Sequence, residues 1–477
     1  MTRSLLEAVG WSGLEAACAA GLSVASALFV ARMIGPSELG IGAAAVSVHV
    51  LLWVVVNALF GDALVQRPSM DDEACASALW TSVAIGCLAA LVQASAGWVL
   101  AALLDDRRLP AMGLSLALPL PLVGAAGVMQ GRLTRARGYG RLAGRTILGQ
   151  GLGTAVGIGA AFHGAGAWAT VGQQFVTSFA GALALIAGSR WRPALVWHWH
   201  PVREMLGVGV PLTASTLAQH ARYRLFAILI GGTAGPTALG EVHIAFRLID
   251  TVRELSFTAL WRLMLPILSE RQNSRRAVLD CMDRCLSVSS AIMLPVCAGM
   301  AMVLEPLVLL VLGPRWAVAG EGGLPLIGLM AVMVLTFPSG VALVAIGRAR
   351  LTLYANLAAI GLTAVGVVSV GPTNPLACVL VWCGSQILTL PYTLHVNAGA
   401  LGVGCLRPLR AGFPMLLVSL GALAAAWVLP ALMLKAPDPV SLVGARLPIW
   451  LAAVAAGGLI LLVRHRHAAA VAISTRD

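Results

Sequence analysis

Within one mostly apolar stretch, four polar residues, His243, Arg247, Asp250 and Glu254, are spaced four, three and four residues apart. That spacing puts them on one narrow face of a helix, which Phe257 and Trp261 continue. Inside hydrocarbon each charge would cost a few kcal/mol, so the face must look into the protein or into water. Two chemistries are open. Arg247 can present a planar guanidinium to the oxygens of an anion such as phosphate, with Asp250 or Glu254 tuning its charge. Alternatively the stripe neutralises itself and only fixes packing, Asp250 pairing with Arg247 or Arg253, each three residues away.

A second stripe lies upstream: Thr213, Thr216, His220 and Arg224, spaced three, four and four residues apart, with Arg222 on the opposite side. His220 can serve as a proton carrier or as a hydrogen-bonded interior histidine. Glu15 and Asp62 fall near the inner ends of the first two apolar spans, as candidate ion-coupling carboxylates or as membrane-boundary acids. Arg145 either extends a basic lining or snorkels. "WHWH" (197–200) sits beside a basic stretch and reads as interfacial anchoring rather than a metal site. "GQGLGTAVGIG" (149–159) follows no expected strand, so its glycines read as helix packing and not as a phosphate loop. Cys281 and Cys285 lack a second pair, and no metal or other cofactor is expected.

The elements that must hold these residues follow from composition. Of 477 residues, 59% are hydrophobic and 11% charged, against about a quarter charged in soluble domains. The net charge of +12 does not indicate nucleic acid, because the arginines lie in short clusters between apolar segments. Apolar segments run roughly 12–34, 39–61, 75–104, 111–131, 143–162, 165–188, 206–230, 238–266, 282–312, 323–346, 351–370, 375–396, 411–434 and 443–463. The expected fold is an all-α polytopic membrane protein with about 14 transmembrane helices, since lipid-exposed backbone must satisfy its own hydrogen bonds. With a cytoplasmic N-terminus, 19 basic residues fall on the inner side and six on the outer, which places both termini in the cytoplasm. The first span reads as a retained helix and not as a cleaved signal. The connections are short and leave no room for an extramembrane catalytic domain.

"GPSELG" (35–40) follows the first span and "GPTALG" (235–240) the seventh. Both read as corners, with glycine for unusual backbone angles, proline at a helix start, and Ser37 or Thr237 available as a cap. Six spans separate them, so they share the outer face and mark two parallel repeats.

With "ARMIGPSELG" (31–40), "GDALVQR" (61–67), "GAGAWATVGQQF" (164–175), "ALGEVHIAFRL" (238–248) and "EPLVLLVLGPRWA" (305–317) in this order, the chain resembles the Wzx-type polysaccharide and O-antigen repeat-unit flippases. These form the polysaccharide branch of the multidrug/oligosaccharidyl-lipid/polysaccharide superfamily. The resemblance covers about residues 30–350. It implies a six-helix lobe over 1–205, a second over 206–400, and two further helices over 401–477. It also implies translocation of undecaprenyl-pyrophosphate-linked oligosaccharides across the bacterial inner membrane, by alternating access of a cationic cavity. A polysaccharide polymerase and export machinery are implied as partners, beside membrane lipid, and no nucleic acid. Family members often carry an acid near the start of the seventh-span "LLIG"-like stretch, where this chain has Phe226. A drug/cation antiporter of the same fold and a membrane-embedded polymerase are the rival readings.

Overall fold

The computed structural model describes the backbone of residues 2–67, 71–189, 191–433 and 439–474. Side chains are described from residue 18 onward, except 68–70, 190, 219, 349–350, 352–353, 408, 429–440, 458 and 460–477. The Glu15 side chain therefore lies outside the described residues.

No strand occurs among the described residues. The helices are α1 (Thr2–Ile34), α2 (Pro36–Gln66), α3 (Asp72–Leu104), α4 (Leu109–Ala117), α5 (Leu120–Arg135), α6 (Tyr139–Phe162), α7 (Trp168–Gly188) and α8 (Trp199–Ser269). They continue with α9 (Arg275–Leu312), α10 (Ala317–Ala345), α11 (Ala349–Val370), α12 (Pro375–Leu401), the short α13 (Arg407–Arg410), α14 (Phe413–Met433) and α15 (Pro439–Ser474). Each expected apolar segment overlies a helix. Among the described residues eight are long and apolar enough to cross a membrane. The glycine-rich α6, carrying Arg141 and Arg145, is not among them. The segment 111–131 is broken into α4 and α5 beside Pro119 and Pro121, whose missing amides cannot continue the ladder. Large apolar side chains stand exposed along these helices, Leu91 at 67%, Trp98 at 70% and Val368 at 72%. On a polytopic membrane protein such residues face acyl chains.

The chain divides into two compact units, Met1–Ile244 with Gly371–Asn374, and Ala245–Val370 with Pro375–Asp477. In the first, a core of Phe60, Leu64, Leu79, Met129 and Met205 holds α2, α3, α5 and the start of α8 together. Gly149, Gly153 and Gly157 of α6 lie against α7, where an added Cβ would meet Thr177 or Gln173. The glycine-rich run is thus a packing surface, as expected.

Both corners lie in this first unit and are near-copies of each other. Gly35 has φ 82° and ψ 171°, and Gly235 has φ 83° and ψ 172°. The second breaks the 71-residue α8 into segments 199–234 and 236–269. The contact between the corners is reciprocal. A Cβ on Gly40 would collide with the Pro236 carbonyl oxygen, and one on Gly240 with the Pro36 carbonyl oxygen. One expectation needs correction: Gly35 itself is the N-cap of α2, with Pro36 following and no side-chain cap bond, so Ser37 does not cap. Its placement inside the first turn removes it from the capping position.

In the second unit Leu268, Met282, Val341 and Ala342 join α8, α9 and α10. Arg446, counted by sequence among the outer basic residues, is buried at 8% exposure in α15. Its guanidinium donates to the Met302 carbonyl at 2.6 Å and lies 5.6 Å from the Trp427 ring centre. It ties α15 to α9.

Candidate functional site

Polar side chains in the first unit converge on two cavities that meet at Trp53. One, of about 290 Å³, is lined by Asn57 and Asp62 of α2, Gln130 and Thr134 of α5, and Thr216 and His220 of α8. The structure therefore brings together Asp62 and His220, which the sequence placed in different spans. The other, of about 330 Å³, is lined by Val50 and Trp53 of α2, Arg145, Thr146 and Gln150 of α6, and Gln174, Thr177 and Ser178 of α7. Arg145 joins the two by donating from a terminal nitrogen to Oε1 of Gln130. In the second cavity Gln174 donates to the Ser178 hydroxyl at 3.2 Å, and the buried His49, outside the lining, lies 3.1 Å from the same hydroxyl. Arg145 and Asp62 are the charged residues of the two linings, and beside the His220 imidazole the other polar side chains are amides and hydroxyls.

The sequence missed Asn57, Gln130, Gln150 and Gln174. They are uncharged amides on four different helices, Gln174 beside a second glutamine, Gln173, and only the packing of α2, α5, α6 and α7 gathers them. A signal was present: uncharged amides within spans need partners or a cavity.

The α8 stripes are placed as follows. Tyr223 Oη lies 2.9 Å from Nδ1 of His243, and the Arg224 guanidinium sits 5.4 Å from the Tyr223 ring centre. Arg224 and His243 are thus linked through Tyr223, a residue the spacing did not single out. Thr213 is buried. In the second unit, Asp250 accepts from Nε of Arg253 at 2.7 Å, which selects Arg253 from the two partners the sequence left open. Arg247 is half-buried and Glu254 exposed on the same helix. Phe257 and Trp261 pack against Phe337, with ring centres 4.7 and 6.2 Å apart. The "WHWH" segment has its own contacts: Trp197 donates to Thr81 Oγ1 at 3.0 Å, and His198 lies 3.5 Å from Glu73. Among the described residues, no group of three or more His, Cys, Asp or Glu is arranged to hold a metal ion.

A further polar cluster surrounds the first corner. Arg108 donates to both carboxylate oxygens of Glu38, at 2.8 and 2.9 Å, and to both oxygens of Asp106, at 2.7 and 3.1 Å. Glu38 also accepts the Ala167 amide at 2.6 Å. The α3–α4 and α6–α7 connections are thereby clamped onto the corner. Hydrogen bonds from Arg108 hold the Asp106 carboxyl below its ordinary range, against the opposing pull of partial burial. At the other helix ends, arginines take up C-terminal carbonyls that helix geometry leaves unpaired: Arg135 that of Leu64 and Arg275 that of Leu401.

Sequence comparison places this architecture. The succinoglycan biosynthesis transport protein ExoT of Rhizobium meliloti (strain 1021) is 24% identical over 324 residues, 68% of this chain and 65% of that protein. The teichuronic acid biosynthesis protein TuaB of Bacillus subtilis (strain 168) is 20% identical over 361 residues, 74% of each chain. Among solved structures, the lipid II flippase MurJ in an inward closed conformation shares the fold, with a TM-score of 0.76 at 12% identity. The match covers 95% of this chain and 98% of that one. Residues 29–321 match the family described as polysaccharide biosynthesis protein, and the chain is a multi-pass membrane member of that family.

Proposed function

We propose that the protein is a flippase. It moves an undecaprenyl-pyrophosphate-linked oligosaccharide repeat from the cytoplasmic to the periplasmic leaflet of the bacterial inner membrane, without covalent change. The observation that carries this is a family match over 29–321 in a bundle whose first-unit cavities are lined by amides and hydroxyls beside Arg145 and Asp62. A pyrophosphate head group cannot cross hydrocarbon unaided, because an isolated buried charge is prohibitively costly. A hydrophilic cavity that opens to one side at a time removes that cost while the prenyl tail stays in lipid. Arg224 and Arg247 are assigned to the anionic head group, assisted by His220, His243, Asp250 and Glu254, and Asp62 or Glu15 to ion coupling.

The lobes proposed for this motion are the repeats, 1–205 and 206–400, with 401–477 appended. Fourteen spans place both termini in the cytoplasm. A drug/cation antiporter of the same fold would be expected to line its cavity with acids and aromatics; in this sequence Arg222, Arg224, Arg247, Arg253 and Arg262 lie in spans seven and eight. A polymerase would need a sizeable periplasmic loop carrying catalytic polar groups, and the connections here are short. The test is glycolipid accessibility: lectin labelling of lipid-linked repeats in spheroplasts with and without the protein. Repeats confined to the inner leaflet in its absence support the flippase. Repeats that reach the outer leaflet but stay unpolymerised point to the polymerase.

A further inference from the structure

The cavity of about 330 Å³ between α2, α5, α6 and α7 has a chemistry different from the arginine stripes of α8. Trp53 lies in an apolar lining shared with Val50, Val123, Ala126 and Ala182, and the polar groups set into it are the amides of Gln150 and Gln174 and the hydroxyls of Thr177 and Ser178. An indole face offers flat apolar area to a ring bearing axial C–H groups. Primary amides and hydroxyls each donate and accept, which suits a ligand whose own hydroxyls do both. The wall is also set in advance. Gln174 donates to Ser178 at 3.2 Å, and Ser178 is held from behind by His49 at 3.1 Å, so two wall groups have fixed orientations. The volume lies at the small end of the range for small-molecule sites, about 300–1,000 Å³, and suits one ring rather than an oligosaccharide.

We propose that this cavity binds one pyranose ring of the glycolipid head group, stacked on Trp53 and hydrogen-bonded by Gln150, Gln174, Thr177 and Ser178. The assignment rests on the flippase reading and adds to it a sugar-reading subsite separate from the groups assigned to pyrophosphate. Arg145 at the same cavity then favours a ring carrying a carboxylate or another acidic substituent.

The test uses the detergent-purified full chain and saturation-transfer NMR with a panel of methyl glycosides of neutral hexoses and of uronic acids. Saturable binding in about the millimolar range is expected for at least one of them. Trp53→Leu and Gln174→Leu should each weaken it about tenfold, the loss of one aromatic face or one lining amide. Leu91→Ala, on the lipid-facing surface, should leave it unchanged. Thr177→Ala is the milder variant should either larger change prevent folding, and only monodisperse protein is scored. A lipid-linked pyrophosphate saccharide should displace the bound glycoside. Absence of saturable binding across the panel, or wild-type binding in both cavity variants, overturns the proposal. A glycoside that stays bound beside the glycolipid overturns the head-group assignment. Translocation by the wild-type chain is measured separately in vesicles, so failure of the subsite leaves the flippase reading standing or falling on its own test.

Discussion

Arg224 and Arg247 are held differently, and that difference shapes what their removal should do. Arg224 is anchored by the Tyr223 ring, and Tyr223 by His243. Arg247 shares its helix with an Asp250–Arg253 pair that neutralises itself at 2.7 Å. If both arginines meet pyrophosphate, each charge-assisted hydrogen bond is worth about 1.5–3 kcal/mol, so replacement by Ala should lower export about 10- to 100-fold. The amount of protein in the membrane should not change. Arg→Lys should restore only part, because a point charge lacks the bidentate fork. Normal export by both Ala variants would make the stripes structural.

The Glu38–Arg108–Asp106 cluster yields a second expectation at this scale. The Asp106 carboxyl is held below its ordinary value of 3.8, so the stability it contributes is complete above that pH and is lost as pH falls through the depressed value. Thermal unfolding of the purified chain should show Asp106→Asn less stable than wild type near pH 7, by no more than about 1 kcal/mol since the group is partly exposed. The gap should narrow below pH 3.8. A gap that is independent of pH would contradict the charge pairing.

At the level of elements, the helices were legible because apolar runs of span length have few alternatives in a membrane. The corners were legible too, Gly-Pro at the same place in each half. Their mutual contact was not, because nothing in a one-dimensional pattern says that Gly40 and Gly240 touch across two hundred residues. Nor could the pattern show that Gly35 would take the cap position from Ser37. The polar cavities were half legible: Asp62, His220 and Arg145 stood out as titratable or charged residues in or at the ends of spans, whereas the neutral amides beside them carried no spacing signal. Glu38 and Arg108 lie seventy residues apart, and their pairing depends wholly on packing. Because Gly40 has backbone and not a flexible side chain against it, Gly40→Ala must move a helix. The expected cost is about 1–3 kcal/mol, read as a lower unfolding midpoint, and Gly240→Ala should cost a similar amount. If neither variant is destabilised, the corners do not pack as described.

Taken as a whole molecule, the chain is expected to follow its asymmetry of basic residues. Reporter fusions in the 132–141 gap should report cytoplasm, and those in 105–109 the periplasm. A periplasmic signal from 132–141 would overturn the fourteen-span arrangement and the assignment of the corners to the outer face. The charge rule and the structure meet at the helix ends, where Arg135 and Arg275 are engaged with terminal carbonyls.

The central claim is transfer of an intact glycolipid between leaflets, and purified protein in vesicles tests it most directly. Vesicles containing a fluorescent undecaprenyl-pyrophosphate saccharide are prepared with the wild-type chain, with the Arg247→Ala variant, and without protein. Glycolipid that starts in the inner leaflet is followed as it becomes accessible to an impermeant quencher, and its mass is checked afterwards. The account predicts faster exposure with the wild-type chain, a rate near the protein-free background with Arg247→Ala, and an unchanged mass. Wild-type vesicles that expose glycolipid no faster than empty ones, or a product of altered mass, would contradict it.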